Sequence, residues 1–215
     1  MSTLNAPAFS ALIGRLFTEA DAAESGRWPS MRAVDRSDYL KYYGLLKDQP
    51  LAVSRGTGAL LYMLARSMGA RNIVEFGTSF GISTLHLAAA LRDNGGGRLI
   101  GSEFEPSKIK RARENLTAGG LSDLVEIREG DAMQTLARDL PEIIDFVLLD
   151  GAKALYPPLL SLLEGHLRAG ALIVADNADD SPEYLARVRS ANGGYLSVAF
   201  GDDVELSMRL EGATR

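Results

Sequence analysis

The run Val74-Glu75-Phe76-Gly77-Thr78-Ser79-Phe80-Gly81 decides how the rest of the chain is read. The apolar stretch Ile73–Phe76 ends on two glycines spaced G-x-x-x-G, and an apolar helical pattern follows over 81–91. A buried strand, a tight turn and a helix in that order make the first unit of an α/β sheet. Glycine at 77 and 81 lets the main chain turn sharply and approach a ligand closely. The spacing is not the G-x-G-x-x-G that cradles a pyrophosphate, nor a P-loop ending in Gly-Lys-Ser/Thr. It favours a ligand without phosphates.

Downstream, short apolar runs at Leu99–Glu103, Val125–Arg128, Ile144–Leu149 and Leu172–Ala175 alternate with helical patterns over 106–118, 132–140 and 157–167. That alternation predicts parallel strands buried on both faces. After a last helix over 182–190, Tyr195–Phe200 and Val204–Leu210 flank Gly201-Asp202-Asp203, which predicts a closing hairpin. The expected fold is Rossmann-like α/β, a mostly parallel seven-stranded sheet with a C-terminal antiparallel hairpin and N-terminal helices. Upstream, Phe9, Leu12, Ile13, Leu16 and Phe17 form one helical stripe, expected to break at Gly26 with Trp28–Pro29 in the connection. Further helices are expected over 38–47 and 55–68, the latter ended by Gly69. Residues 1–50 read as a helical lid or dimerisation segment and 51–215 as the core. The stripe needs an apolar partner, either that core or a second subunit, and a homodimer is expected.

Composition narrows the chemistry. The 215 residues contain no cysteine and only His86 and His166. Disulfides, thiolate nucleophiles and Cys/His metal sites are therefore excluded, and a metal would need oxygen ligands such as Mg²⁺ prefers. No apolar run approaches the roughly 20 residues that span a bilayer, and no leader is visible, so a cytoplasmic protein is expected. The formal net charge of −5 argues against a broad nucleic-acid surface. Arg27, Arg32, Arg36, Lys41, Lys47 and Arg55 do cluster near the N-terminus.

Ligands of open α/β sheets sit beyond the strand carboxyl ends. Glu103 closes the second strand, where a carboxylate accepts ribose hydroxyls, and Gly130-Asp131-Ala132 follows the third, where an Asp meets an adenine amino group. With the acidic strand end at Glu75, these point to a nucleoside-type cofactor. The fourth strand ends in Asp150-Gly151-Ala152-Lys153 and the fifth in Asp176-Asn177. Two carboxylates and an amide oxygen thus meet at one edge, a set that suits Mg²⁺. Helix capping and turn formation explain the same residues equally well. His86 and His166 read as packing and helix-end residues.

Glu75-Phe76-Gly77-Thr78, Gly81-Ile82-Ser83, Glu103 and Gly130-Asp131-Ala132 resemble the cofactor motifs of the catechol O-methyltransferase-like family, from about Pro50 to Leu210. The resemblance implies S-adenosylmethionine as cofactor, with Val53, Gly77, Thr78 and Ser83 along its methionine portion. It also implies Glu103 on the ribose, with Asp131 and Ala132 flanking the adenine, and places Glu75 and Asp150 at the cofactor too. Asp150, Asp176 and Asn177 match the family's metal ligands, and Lys153 its catalytic base. Asp150 and Lys153 are thus the expected catalytic pair, and Tyr156 is expected to pack. The expected reaction is metal-assisted O-methylation of a small hydroxylated molecule. Methylation of a hydroxyuridine in tRNA is the alternative, with a non-catalytic S-adenosylmethionine binder behind it. After Asn177 the chain departs from the family. Ala178-Asp179-Asp180-Ser181-Pro182 replaces a longer substrate loop; Asp179 and Asp180 either enrich the metal edge or cap the next helix, and capping is the expected role. Trp28, Tyr39, Tyr42 and Tyr43 are candidates for an aromatic wall, with core packing as the expected fate of such residues.

Overall fold

The computed structural model describes residues 2–31 (25–31 as backbone only), 39–201 and 203–212. Helices α1 (Pro7–Met31), α2 (Tyr39–Gly44) and α3 (Arg55–Ser67) precede β1 (Asn72–Phe76). Then come α4 (Ile82–Asp93), β2 (Arg98–Glu103), α5 (Pro106–Ala118), β3 (Val125–Glu129), α6 (Ala132–Thr135) and β4 (Ile144–Leu149). The chain continues through α7 (Tyr156–Leu163), β5 (Leu167–Ala175), α8 (Pro182–Val188), β6 (Tyr195–Phe200) and β7 (Val204–Arg209).

The described strands form one seven-stranded sheet in the order β3-β2-β1-β4-β5-β7-β6. β1 to β5 run parallel, while β7 is antiparallel to both β5 and β6. Strand order reverses between β1 and β4, which opens a crevice beyond their carboxyl ends. The period of two along each strand divides the core. Ile73, Leu99, Phe146 and Val174 face α1, α3, α4 and α5, whereas Val74, Ile100, Val147 and Ile173 face α6, α7 and α8.

The α1 stripe packs into the first of these cores. Phe9, Leu12, Leu16 and Phe17 are buried with Leu85, Ile109 and Leu116, so this apolar face is covered within the chain. The helix does not break at Gly26; its backbone runs through Trp28 and Pro29 to Met31. Proline has a helical φ and costs the helix chiefly one hydrogen bond, which a long packed helix tolerates. Arg32, Arg36 and Asp38, and the side chains of Arg27 and Trp28, lie outside the described residues.

Two further elements differ from the sequence reading. The helix expected over 132–140 ends at Thr135, because the Arg128 guanidinium takes the carbonyls of Thr135, Arg138 and Asp139. β5 begins at Leu167, earlier than the run at Leu172 suggested. Its register against β4 shifts at Asp145, whose buried carboxylate holds Arg168 at 2.6 Å and the N–H groups of Arg71 and Asn72. Arg168-Ala169-Gly170 is therefore an irregular strand rather than a turn. Among the described residues no helix is long and apolar enough to cross a membrane.

Candidate active site

The crevice is built first by the turn after β1. Gly77 has φ +95° and Gly81 φ +85°, values that suit only glycine without strain. A Cβ on Gly77 would collide with the main-chain carbonyl of Asp150, so the β1 turn and the end of β4 lie main chain against main chain. Asp150 N–H donates to the Phe76 carbonyl at 2.8 Å on the same seam. Ser79 takes φ +48°, a left-handed value uncommon for a side-chain-bearing residue and one that concentrates at functional turns.

Glu75 lies beneath this turn, fully buried. Thr84 and Thr78 donate their hydroxyls to one carboxylate oxygen at 2.6 and 3.0 Å, and Ser83 donates to the other at 2.7 Å. Burial pushes the carboxyl above its ordinary range, and the three hydroxyls oppose that shift. Thr78 and Ser83 therefore turn their side chains inward, and with Glu75 they lie outside the residues that line the crevice.

Glu103 ends β2 at the pocket wall. One carboxylate oxygen accepts Ser79 N–H at 2.9 Å, and the other accepts those of Phe104 and Glu105 at 2.9 and 3.0 Å. Held by three main-chain donors, the carboxylate is fixed in place with lone pairs left for a ligand. The same pocket is lined by Gly77, Asp131 and Ala132. Asp131 caps α6 by accepting Met133 N–H at 2.9 Å.

A second, larger cavity opens beside it. Tyr39, Tyr43, Leu51, Asp150 and Ala152 line both, and the larger one adds Tyr42, Val53, Lys153, Asp176 and Asn177. The three tyrosines thus form a wall here; Tyr42 is also buried, edge-on to Tyr43 at 5.2 Å. Asp150 and Asp176 line the same cavity, and each carboxyl feels the charge of its neighbours there. Burial first, then the charge of Asp150, raises the carboxyl of Asp176. Burial likewise raises that of Asp150, against the pull of Lys153. Two buried carboxyls in one cavity cannot both ionise cheaply, so one proton or one cation must accompany them.

Lys153 stands 3.5 Å from Asp150 Oδ1 and 2.8 Å from the Tyr156 hydroxyl. Asn177, also left-handed at φ +47°, donates its side-chain amide to Asp203 at 3.3 Å. Its exposed side chain stands beside the two acids. Among the described residues no three His, Cys, Asp or Glu groups form a metal cluster, so the candidate ligand set is two carboxylates and an amide. That oxygen-rich donor set fits a hard divalent cation.

Sequence reasoning missed Ser79 and Asp203. Nothing in a Ser signals a positive φ, and the approach of Asp203 depends on β7 inserting beside β5, which chain order does not reveal. The expected capping by Asp179 and Asp180 is not what is found. Ser181 holds the N-cap position of α8, its hydroxyl donates to the Lys153 carbonyl at 2.9 Å, and both acids line the larger cavity. A residue ahead of the N-cap cannot reach the first free N–H groups as well as the cap residue can. His86 is buried against the Ile82 carbonyl, and His166 contacts that of Pro141.

A family model described as "Methyltransferase domain" matches residues 74–178. A catechol O-methyltransferase from Niastella koreensis is 37% identical over 130 residues, covering 59% of this chain and 58% of that protein. The match thus spans little more than half the length of that relative. A provisionally named O-methyltransferase from Mycolicibacterium smegmatis is 31% identical over 163 residues, covering 75% of this chain and 71% of its own. The chain belongs to the catechol O-methyltransferase-like family. Among solved structures, the O-methyltransferase TomG from Streptomyces achromogenes, in complex with SAM, superposes with TM-score 0.64 at 26% identity. That superposition covers 89% of this chain and 99% of TomG. For a member of the catechol O-methyltransferase-like family, the crevice at the β1/β4 reversal is the site to interpret.

Proposed function

We propose that the protein is an S-adenosylmethionine-dependent O-methyltransferase that methylates a hydroxyl of a small molecule with help from a divalent cation. The observation that carries this reading is the shared wall between the two cavities. Tyr39, Tyr43, Leu51, Asp150 and Ala152 border both the Glu103 pocket and the Lys153 cavity. A donor in one therefore abuts an acceptor in the other.

Glu103 is the ribose acceptor, the Gly77 turn admits the ligand close to the main chain, and Asp131 with Ala132 bounds the base. Bound S-adenosylmethionine would supply an electrophilic methyl group. Asp150, Asp176 and Asn177 would hold the cation, which supplies positive charge to an acceptor oxygen. Lys153 Nζ is the group placed to take the acceptor's proton. Tyr39, Tyr42 and Tyr43 close the side of the cavity and position the acceptor, which is where most of the rate of such a displacement originates.

Transfer to RNA gains no support from the described residues. Arg55 is engaged by Asp21 at 2.8 Å, and Asp21, Glu24, Asp176, Asp179 and Asp203 line the same cavity, which repels a phosphate backbone. A mere binder needs no lysine beside the Asp150 carboxylate in the acceptor cavity. A homodimer remains part of the proposal. With α1 covered by the chain's own core, the exposed row Leu196, Val198 and Phe200 on edge strand β6 is the face that would serve it. The decisive experiment is methyl transfer from labelled S-adenosylmethionine to catechols, other small hydroxylated acceptors and tRNA, with and without EDTA. Transfer to tRNA alone would overturn the substrate class, and full activity in EDTA would overturn the metal.

A further inference from the structure

Asp150, Lys153 and Tyr156 recur every third residue. Lys153–Leu155 forms a 3₁₀ turn that leads into α7 at Tyr156. In a 3₁₀ turn residues i and i+3 eclipse, so Lys153 and Tyr156 share one face. The Tyr156 ring is fully buried, edge-on to Phe76 at 6.3 Å and to Tyr184 at 5.8 Å. Ring packing alone, however, does not explain its hydroxyl. That oxygen lies 2.7 Å from the Leu149 carbonyl, 2.8 Å from the Asp176 carbonyl and 2.8 Å from Lys153 Nζ.

A phenol has one proton and accepts through its lone pairs. It donates to one of the two carbonyls at a time, and the lysine amine donates to it. Leu149 precedes Asp150 at the end of β4, and Asp176 follows the end of β5. One hydroxyl therefore ties both strand ends to the amine that stands beside the Asp150 carboxylate.

We propose that Tyr156 is a positioning residue for Lys153: its hydroxyl holds the lysine amine at the strand ends that carry Asp150 and Asp176. The lysine stem carries several rotatable bonds, and without the hydroxyl its head keeps Asp150, at 3.5 Å, and the non-directional face of the ring, 5.1 Å from its centroid. Ordering that head in advance removes the rotamer entropy otherwise lost in the reaction. The inference rests on Lys153 serving the proposed methyl transfer.

Its test uses Tyr156→Phe, which keeps the ring and its packing, together with Lys153→Met and the double variant. Tyr156→Phe should lower kcat about ten- to hundredfold with KM for S-adenosylmethionine unchanged. In the Lys153→Met background the same change should cost nothing more, because the hydroxyl then has no amine to hold. Labelling with acetic anhydride, read at Lys153 by mass spectrometry, should speed up severalfold in Tyr156→Phe while other lysines stay unchanged. This readout does not depend on turnover. Losses that multiply in the double variant, or unchanged labelling at Lys153, would overturn the positioning role. Normal turnover in Lys153→Met would instead overturn the base assignment, and the labelling would still decide whether the phenol holds the amine.

Discussion

Ser79 donates its main-chain N–H to the Glu103 carboxylate at 2.9 Å, joining the turn after β1 to the end of β2. The bond orients the proposed ribose acceptor, and the left-handed Ser79 is what aims the N–H at it. Glu103→Gln keeps the shape but replaces one acceptor oxygen with a donor and removes the charge. Affinity for S-adenosylmethionine should fall by about 1.5–3 kcal/mol, the range for hydrogen bonds to charged groups. Calorimetry on the folded variant measures it, and unchanged affinity would remove Glu103 from the cofactor site.

The shared cavity of Asp150 and Asp176 predicts a thermal response to metal. In the chelated protein a proton stands in for the cation, and a divalent cation at about 100-fold its Kd should displace it and add about 2.7 kcal/mol. Asp176→Asn should lose this response. It should be no less stable than the parent in EDTA, since a neutral amide replaces a carboxyl whose charge burial already disfavours. Melting curves with EDTA, Mg²⁺ and Mn²⁺ check both halves. A Mg²⁺ response that survives in Asp176→Asn would place the cation elsewhere.

Glu205 supplies a pH prediction away from the chemistry. The Arg189 guanidinium, bound at 2.8 and 2.6 Å, and the Ser197 hydroxyl hold its carboxyl below the usual carboxylate range. A depressed folded-state pKa gives stabilisation that is complete above the unfolded value, ~4.3. It is lost as pH falls through the lower, folded value. Arg189→Leu should cost about 1–2 kcal/mol at pH 7, a modest figure because Arg189 is half exposed. Urea midpoints of the two proteins should converge as pH falls through the depressed folded-state value of Glu205. A gap that persists there would assign the loss to packing.

Helix α1 is expected to behave as core rather than as a detachable lid. Leu16 is 1% exposed within the cluster that contains Leu85 and Ile109. Leu16→Ala should therefore destabilise the protein by about 2–5 kcal/mol, measured by urea unfolding. Deleting residues 1–36 should leave protein that no longer unfolds cooperatively. A cooperative, cofactor-binding deletion variant would contradict this.

The apolar strand runs and their glycine punctuation were enough to read the sheet and its closing hairpin. Ile144–Leu149 and Tyr195–Phe200 were placed to the residue, because fully or half-buried strands have few competing interpretations. Errors arose where a distant side chain sets a boundary. Arg128 stops α6 by taking its carbonyls, and Asp145 lets β5 start early by pinning Arg168; both are tertiary effects that local propensity does not contain. Within the candidate site, the motif residues at the strand ends were legible one by one. Their division of labour was not. The family resemblance implies Thr78 and Ser83 along the cofactor, and only the structure shows that their hydroxyls serve Glu75 from below. Tyr156 read as packing, and it both packs and holds Lys153.

The close seam between Gly77 and Asp150 has a bearing on which parts of the site can vary. The proposed donor half, β1 to β3, and the proposed acceptor half, beyond β4 and β5, meet there with Gly77 against the Asp150 main chain and the Phe76 ring against Gly151. The close approach of the two strand ends is thus fixed at Gly77, where no side chain fits. Substitutions in α2, in the Leu51–Val53 segment or after Asn177 can remodel the acceptor cavity without altering that approach. Gly77 cannot vary in the same way. The acceptor cavity is thus open to reshaping at its rim, while the turn after β1 tolerates no side chain at residue 77.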